Sequence, residues 1–268
     1  MKRTKGKDEK CRLIHGDCLI EMDKLIEQGV KADAIITDPP YGTTACKWDS
    51  VIPFDEMWER LNKLIKPNGA IVLFGSEPFS SCLITSNLKG FKYRWDWNKK
   101  IPSGMSYARY RPMQQSEDIC IFTSNGEKTI YNPQMVLRDK PIKSGGTKKS
   151  ESAPIANKDL NFKKTYKYKN PITLIEFDKI RKGSVHPTQK PVALMEYLVK
   201  TYTNEGELVL DFTMGSGTTM VACKNLNRNG IGIELDTKKD KGKNKDQSYF
   251  DISVERVNNV DKKDGMLY

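Results

Sequence analysis

Ala34-Ile35-Ile36-Thr37-Asp38-Pro39-Pro40-Tyr41 and Leu208-Val209-Leu210-Asp211-Phe212-Thr213-Met214-Gly215-Ser216-Gly217-Thr218-Thr219 decide the fold. Each is an apolar run that ends in a turn-forming peptide. Such a run reads as a buried parallel strand that delivers a loop to its carboxyl end. In an open α/β sheet that edge is where ligands bind. The chain therefore places an acidic, proline-stiffened, aromatic loop and a glycine loop on the same side of one sheet.

Strand and helix patterns alternate around these two peptides. Residues 11–15 read as a short strand ending at Gly16-Asp17, and 18–29 carry Leu19, Met22, Leu25 and Ile26 on one helical face. Residues 54–64 read as a helix closed by the turn cluster Lys66-Pro67-Asn68-Gly69, followed by a buried strand over 70–74. A helix over 77–89 and strands over 91–97 and 119–122 come next. Beyond Pro191 the pattern predicts a helix to Tyr202, the glycine-loop strand, a helix over 218–226, a strand ending at Glu234 and a last helix over 247–257. This rhythm predicts an α/β fold with an open, mostly parallel, doubly wound sheet. It breaks between Gly126 and Pro187. The expected domains are thus a catalytic and cofactor-binding body over 11–125 and 184–260, an inserted region over 126–183, and flexible ends at 1–10 and 261–268.

The 268 residues carry a formal charge of +11, which points to a polyanionic partner, nucleic acid first. Between Gly126 and Ser184 there are 14 basic and 6 acidic side chains, a net of +8. Within that stretch Lys163, Lys164, Lys167 and Lys169 interleave with Tyr166 and Tyr168. Lysines neutralise phosphates and tyrosines stack on bases, so this is a candidate DNA face, against the plainer reading of a solvated linker. Arg109, Tyr110 and Arg111 form a second candidate cluster, against a solvated loop. The six cysteines contain no Cys-x-x-Cys pair, so neither a zinc site nor a disulfide framework is expected, as suits a reducing cytoplasm. Cys82 and Cys120 sit in apolar runs and read as core. No apolar stretch follows the charged N-terminus, and no run is long enough for a membrane span.

Gly215-Ser216-Gly217 lets a ligand lie against the backbone, and Glu234, 17 residues on at the tip of the next strand, can accept hydrogen bonds from ribose hydroxyls. Met220 stands where a third glycine would complete a dinucleotide fingerprint, so an adenosine cofactor without pyrophosphate is favoured. In the first loop, Pro39 and Pro40 remove two amide donors. The Asp38 carboxylate and the Pro39 carbonyl then form a set of acceptors suited to an exocyclic amine. Tyr41 offers a ring face to a base taken out of the stack.

With these residues the chain resembles the β group of S-adenosylmethionine-dependent DNA amino-methyltransferases. Asp38-Pro39-Pro40-Tyr41 matches their catalytic motif and Asp211–Thr219 their cofactor motif. His186-Pro187-Thr188-Gln189-Lys190-Pro191 and Gly16-Asp17-Cys18 match two further motifs. The resemblance covers about 11–125 and 184–257, and 126–183 fall where that group places target recognition. It implies transfer of a methyl group from S-adenosyl-L-methionine to a flipped base in double-stranded DNA. Asp38, Pro39, Pro40 and Tyr41 are then the catalytic peptide. Asp17 and Cys18, the 211–219 loop with Asp211, Phe212, Gly215, Ser216, Gly217 and Thr218, Glu234 at the ribose, and Lys190 near the cofactor carboxylate form the cofactor site. For Lys190 a structural role at a helix entrance stands beside that one. Phe212 and Thr213 replace the family's usual Pro and Phe. His15 and His186 need not act as bases, and Trp48 reads either as packing or as a lid. Asp at the first catalytic position leans toward adenine N6. The alternatives are cytosine N4, an RNA base, and a DNA-binding subunit without catalysis. No metal is expected, and a homodimer is left open.

Overall fold

The computed structural model describes residues 10–43, 49–144, 164–180, 185, 189–235 and 247–260. The outermost ends, Trp48, Lys163 and His186 lie outside them. In chain order the elements are β1 (Cys11–His15), α1 (Cys18–Glu27), β2 (Ala32–Thr37), α2 (Phe54–Leu64), β3 (Ile65–Gly75), α3 (Phe79–Ser86), β4 (Phe91–Ser103), β5 (Gln114–Thr123), β6 (Val136–Ser144), β7 (Lys164–Lys169), β8 (Leu174–Glu176), α4 (Val192–Tyr202), β9 (Leu208–Asp211), α5 (Thr218–Asn225), β10 (Asn229–Glu234) and α6 (Tyr249–Asn258). They divide into two compact units. One runs up to Asn132 and resumes at Thr173; the other is Pro133–Ile172.

The larger unit holds an eight-stranded sheet in the order β1-β10-β9-β2-β3-β5-β4-β8. Every neighbouring pair is parallel except those made by β5, which runs antiparallel to both β3 and β4. Alternation along each strand sorts side chains to two faces. Ala34, Ile36, Val72, Phe74, Ile119 and Ile121 pack under α4 and α5. Ile35, Ile71, Leu73, Cys120 and Phe122 pack under α1, α2 and α3. Both faces are covered, which is why the central strands read as unbroken apolar runs.

Two readings change. Lys66-Pro67-Asn68-Gly69 does not close α2 as a free turn; it lies inside β3 as an irregularity. Ala32 pairs with Ile65 while Ala34 pairs with Ala70, so the extra residues bulge out of the ladder. The bulge suits Pro67, which has no amide to donate. It is held by Lys66, whose ammonium donates to Asp33 at 2.6 Å; Asp33 also accepts from Leu208 N at 2.9 Å. Cys82, read as core, is exposed, whereas Cys120 is buried. Ser80 and Leu83 face inward on α3, and the helical period turns Cys82 outward.

The smaller unit contains the antiparallel pair of β6 and β7. As a strand, Lys164-Thr165-Tyr166-Lys167-Tyr168-Lys169 divides its side chains. Lys164, Tyr166 and Tyr168 share one face, with the Lys164 ammonium 5.5 Å from the Tyr166 ring centre. Lys167 and Lys169 share the other. All are exposed.

Helix α4 is tied to the sheet through Tyr202, whose buried hydroxyl accepts from Trp95 Nε1 at 2.7 Å and meets the Tyr93 hydroxyl at 2.9 Å. Tyr202→Phe leaves the indole N–H without this partner in the core. We expect it to cost about 1–3 kcal/mol, read as a lower urea midpoint at unchanged slope.

Candidate active site

Strands β2 and β9 lie side by side, yet the strands that follow them, β3 and β10, lie on opposite sides. That divergence makes a topological switch point, where an open sheet leaves a crevice beyond its carboxyl ends. A cavity of about 710 Å³ occupies it. The Asp38–Tyr41 peptide, Asp17, Gly215 and Glu234 all line its wall.

The catalytic-motif loop is braced from behind. Asp49 accepts the amides of Tyr41 at 2.8 Å, Gly42 at 2.9 Å and Thr43 at 2.9 Å. Three amides on one buried carboxylate hold the turn open after the prolines. The Tyr41 ring stacks on Phe79 at 5.0 Å, so one of its faces is already used. Its hydroxyl donates to Asp38 Oδ1.

The glycine loop is braced by side chains from α6 and β10. Gly217 has φ +75°, and an added Cβ would come 3.0 Å from that of Ser253. Arg256, from α6, donates to the Ser216 carbonyl at 2.5 Å and its hydroxyl at 2.8 Å. Glu234 accepts Gly215 N at 2.7 Å. Asp17 N-caps α1, its Oδ1 accepting from Leu19 N at 3.0 Å and Ile20 N at 3.2 Å. Burial, with the charge of Asp17 beside it, pushes the Cys18 thiol up to about 12, so it is no nucleophile. His15 stacks on Phe250 at 4.9 Å.

The two loops are stitched together. Thr37 donates to Asp211 Oδ1 at 2.6 Å and meets Thr213 at 2.6 Å, while Thr213 donates to the Asp38 carbonyl at 3.1 Å. Thr213 stands where a phenylalanine was expected from the resemblance, and its hydroxyl supplies a link that a phenyl ring could not make. Phe212 is buried in the core cluster under α1 and α2. Asp211 faces these hydroxyls, including that of Thr219.

Lys190 stands just before α4, at the helix entrance, and lines the cavity. Its ammonium donates to Asp38 Oδ2 at 2.7 Å and lies 3.1 Å from Glu117 Oε2. Lys99 ion-pairs with Glu117 Oε1 at 2.9 Å. Neither Glu117 nor Lys99 was flagged by the sequence. Burial pushes the Asp38 carboxyl up, partly offset by Lys190. For Glu117 burial acts the same way, but Lys190 and Lys99 more than offset it and hold it at about 2.

The expected DNA-contact residues belong to different units. Arg109, Tyr110 and Arg111 lie in the exposed β4–β5 connection, with Arg111 5.1 Å from the Tyr107 ring centre and Tyr110 86% exposed. Lys164, Tyr166, Lys167, Tyr168 and Lys169 belong to the smaller unit.

Comparison with known proteins agrees with this geometry. Residues 32–241 match the DNA methylase family of N6 and N4 amino-methyltransferases. The chain belongs to this family. It is 28% identical to the type II methyltransferase M.HpaI of Haemophilus parainfluenzae over 92% of this chain and 74% of that one. It is 29% identical to the type II methyltransferase M2.DpnII of Streptococcus pneumoniae over 84% of each. The crystal structure of an M1.HpyAVI–SAM complex superposes with a TM-score of 0.60 at 30% identity, covering 92% of this chain and 99% of that one. The chain is thus an S-adenosylmethionine-dependent DNA amino-methyltransferase. Among the described residues no helix is long and apolar enough to cross a membrane, and no cluster could hold a metal ion.

In this methyltransferase Asp211 has a pH signature. Burial raises its carboxyl from 3.8 to about 7, against the hydroxyl and amide donors that favour the charge. The folded protein then holds a proton that the unfolded chain has lost, so stability falls as pH rises through that window. Relative to Asp211→Asn, the wild type should lose up to about 4 kcal/mol between the two values. Urea titrations of both proteins across that range check it.

Proposed function

We propose that the chain methylates the exocyclic N6 of an adenine flipped out of double-stranded DNA, as a site-specific enzyme of the type II restriction-modification kind. The observation that carries this is Asp38. Its carboxylate stands at the switch-point edge, directly before two donor-free prolines and within the cavity that the glycine loop and Glu234 also line. Each carboxylate oxygen has a second lone pair beyond its bond to Tyr41 or Lys190. Asp38 and the Pro39 carbonyl can therefore both accept from an amine. Drawing on both N–H bonds makes the nitrogen more tetrahedral and its lone pair more nucleophilic. These acceptors strengthen most as positive charge develops on nitrogen, which is where fixed dipoles accelerate reaction.

The residues present fit S-adenosylmethionine. Glu234 ends β10 where an adenosine ribose is read in such folds, and the left-handed Gly217 keeps the loop free of a Cβ. The wall carries more carboxylates than ammoniums, as suits a sulfonium. When bound, the cofactor supplies a methyl group on a positively charged sulfur. In this reading Asp17, Cys18, Phe212, Ser216 and Thr218 complete its surroundings, and Asp211 acts by positioning the loop.

DNA contact is assigned to Arg109, Tyr110 and Arg111, and target recognition to the region inserted within 126–183. The reading also carries a cytoplasmic location, which free thiols at Cys18, Cys82, Cys120 and Cys223 support. A homodimer is its open corollary, decided by sedimentation.

Mass spectrometry of nucleosides from treated DNA tests the assignment. N6-methyladenine is expected; N4-methylcytosine would move the target, and no methylated base would remove the assignment. Asp38→Ala should lower kcat by roughly 10²-fold or more with little change in cofactor affinity. Near-normal turnover would sink the role given to Asp38.

DNA binding should depend steeply on salt. Replacing Arg109 and Arg111 with Gln should flatten the slope of log K against log salt by up to about two units. In β7 only one face of the strand can meet a duplex. Either Lys164→Gln or the pair Lys167→Gln and Lys169→Gln should flatten the slope, not both sets. An unchanged slope in all of these would exclude both surfaces.

A further inference from the structure

We propose that Glu117 and Lys99 are positioning residues that set the charge on Asp38 by sharing Lys190 with it. The proposal rests on the reading of Asp38 as the acceptor for the target amine. The four side chains form one buried chain of contacts: Asp38 to Lys190 at 2.7 Å, Lys190 to Glu117 at 3.1 Å, and Glu117 to Lys99 at 2.9 Å. Lys99 is 4% exposed and Lys190 9%. The set holds two carboxylates and two ammoniums, and so is neutral.

Topology brings them together. Lys99 lies in the later half of β4 and Glu117 in the first half of β5, on neighbouring antiparallel strands that pair Trp97 with Glu117. Because β5 runs against the sheet, its start lies at the edge where β2 ends. The Lys190 ammonium also sits 4.9 Å from the Phe74 ring centre and 6.0 Å from that of Trp97. These rings leave it no water-facing escape on that side, and they favour its charged form.

The Lys190–Glu117 contact is an ion pair outside hydrogen-bond alignment; Glu117 Oε2 has no hydrogen-bond donor of its own. Lys190 is therefore bonded to Asp38 and only leaning on Glu117. With Glu117 as a second anion, Lys190 does not cancel Asp38 outright. When the amine donates to Asp38, the ammonium has a carboxylate to move toward. Lys99 balances that second anion, which would otherwise be a net charge in a buried site.

The other charged group facing Asp38 is Asp211 on β9, while Tyr41 donates from the loop itself. Asp49 and Lys179 also line the cavity. None of these is substituted in the test, and the titration of Asp211 is common to every variant, so the direction of each difference follows from charge alone. Lys99→Met leaves two carboxylates to one ammonium. Asp38 then holds a proton to higher pH, and the acid limb of the single-turnover rate should move up by about one pH unit. Glu117→Gln leaves two ammoniums to one carboxylate, and the limb should move down. The double variant is neutral again and should return toward the wild type. Lys99→Arg should restore the wild-type profile.

The measurement is single-turnover methylation of duplex DNA against pH, with S-adenosylmethionine affinity by calorimetry as a check on folding. If Lys99→Met fails to bind cofactor, the Glu117→Gln and double variants still carry the sign test. Opposite displacements that cancel in the double variant support the proposal. Equal rate losses with an unmoved acid limb, or additive losses in the double variant, overturn it and leave the DNA methyltransferase reading intact. A wild type that methylates no DNA base would overturn that reading first.

Discussion

The site depends on the hydrogen bond from Thr37 to Asp211, 2.6 Å long, between the ends of two adjacent parallel strands. The loops that follow these strands come from positions 174 residues apart, and each leaves the sheet toward a different side. Asp49 braces one loop and Arg256 and Glu234 the other, but these contacts do not tie the two loops to each other. Thr213 extends the link to the Asp38 carbonyl. The catalytic peptide is thereby fixed to the glycine loop through backbone and short hydroxyl side chains, which have little freedom to lose. In the proposed reading, the acceptors for a target amine and the floor of the cofactor site are thereby one linked piece, which is what positioning two reactants requires. Burying Asp211 among hydroxyls raises its carboxyl to about 7, a cost in stability above that pH that the geometry of the loops imposes.

The second constraint is electrostatic. A carboxylate placed in a covered crevice tends to take up a proton, and a protonated Asp38 would lose an acceptor. Lys190 opposes this from 2.7 Å. A lone ammonium would carry the opposite difficulty, holding Asp38 so firmly that the amine could not compete. A buried ion pair is seldom a net source of stability, so the four-membered arrangement is better understood as a device for poise than as a staple. That poise is bought with four charged groups removed from water, while the fold is secured elsewhere, on the two apolar faces of the sheet.

The fold was legible because both faces of the sheet are covered. Ala34-Ile35-Ile36 and Leu208-Val209-Leu210 had to be apolar throughout, and each ended in a peptide with an unmistakable turn. Glu117 and Lys99 were not legible for the converse reason. Gln114-Gln115-Ser116-Glu117-Asp118 reads as the solvated start of a strand, and nothing local says that the strand runs backwards. Its reversal, known only from pairing with β3 and β4, carries Glu117 to the functional edge. Lys190 was noticed through its motif, but its bond to Asp38 was not legible, because that partner is 152 residues away. The Lys66–Gly69 cluster carried true turn chemistry, yet the β2 ladder on one side absorbed it as a bulge. The Lys/Tyr stretch was read as one surface because composition ignores the two-residue period that, in a strand, divides it.

The reversed β5 also bears on where the chain can accept an insertion. A strand antiparallel to its neighbours enters the sheet at the functional edge and leaves at the opposite one. The chain must then travel before β8 can pair in parallel with β4 at the sheet's outer limit. The smaller unit, Pro133–Ile172, occupies that journey. Its length alters no strand pairing in the central sheet, because β5 on one side and β8 on the other are each secured to β4. Glu117 lies in β5, ahead of the insertion, and Lys190 follows β8 in sequence. The two residues that meet in the ion pair thus flank the insertion in sequence while being joined across the sheet edge in space. The ion pair depends on β5 and on the segment before α4, each of which is placed by the larger unit and not by the insertion.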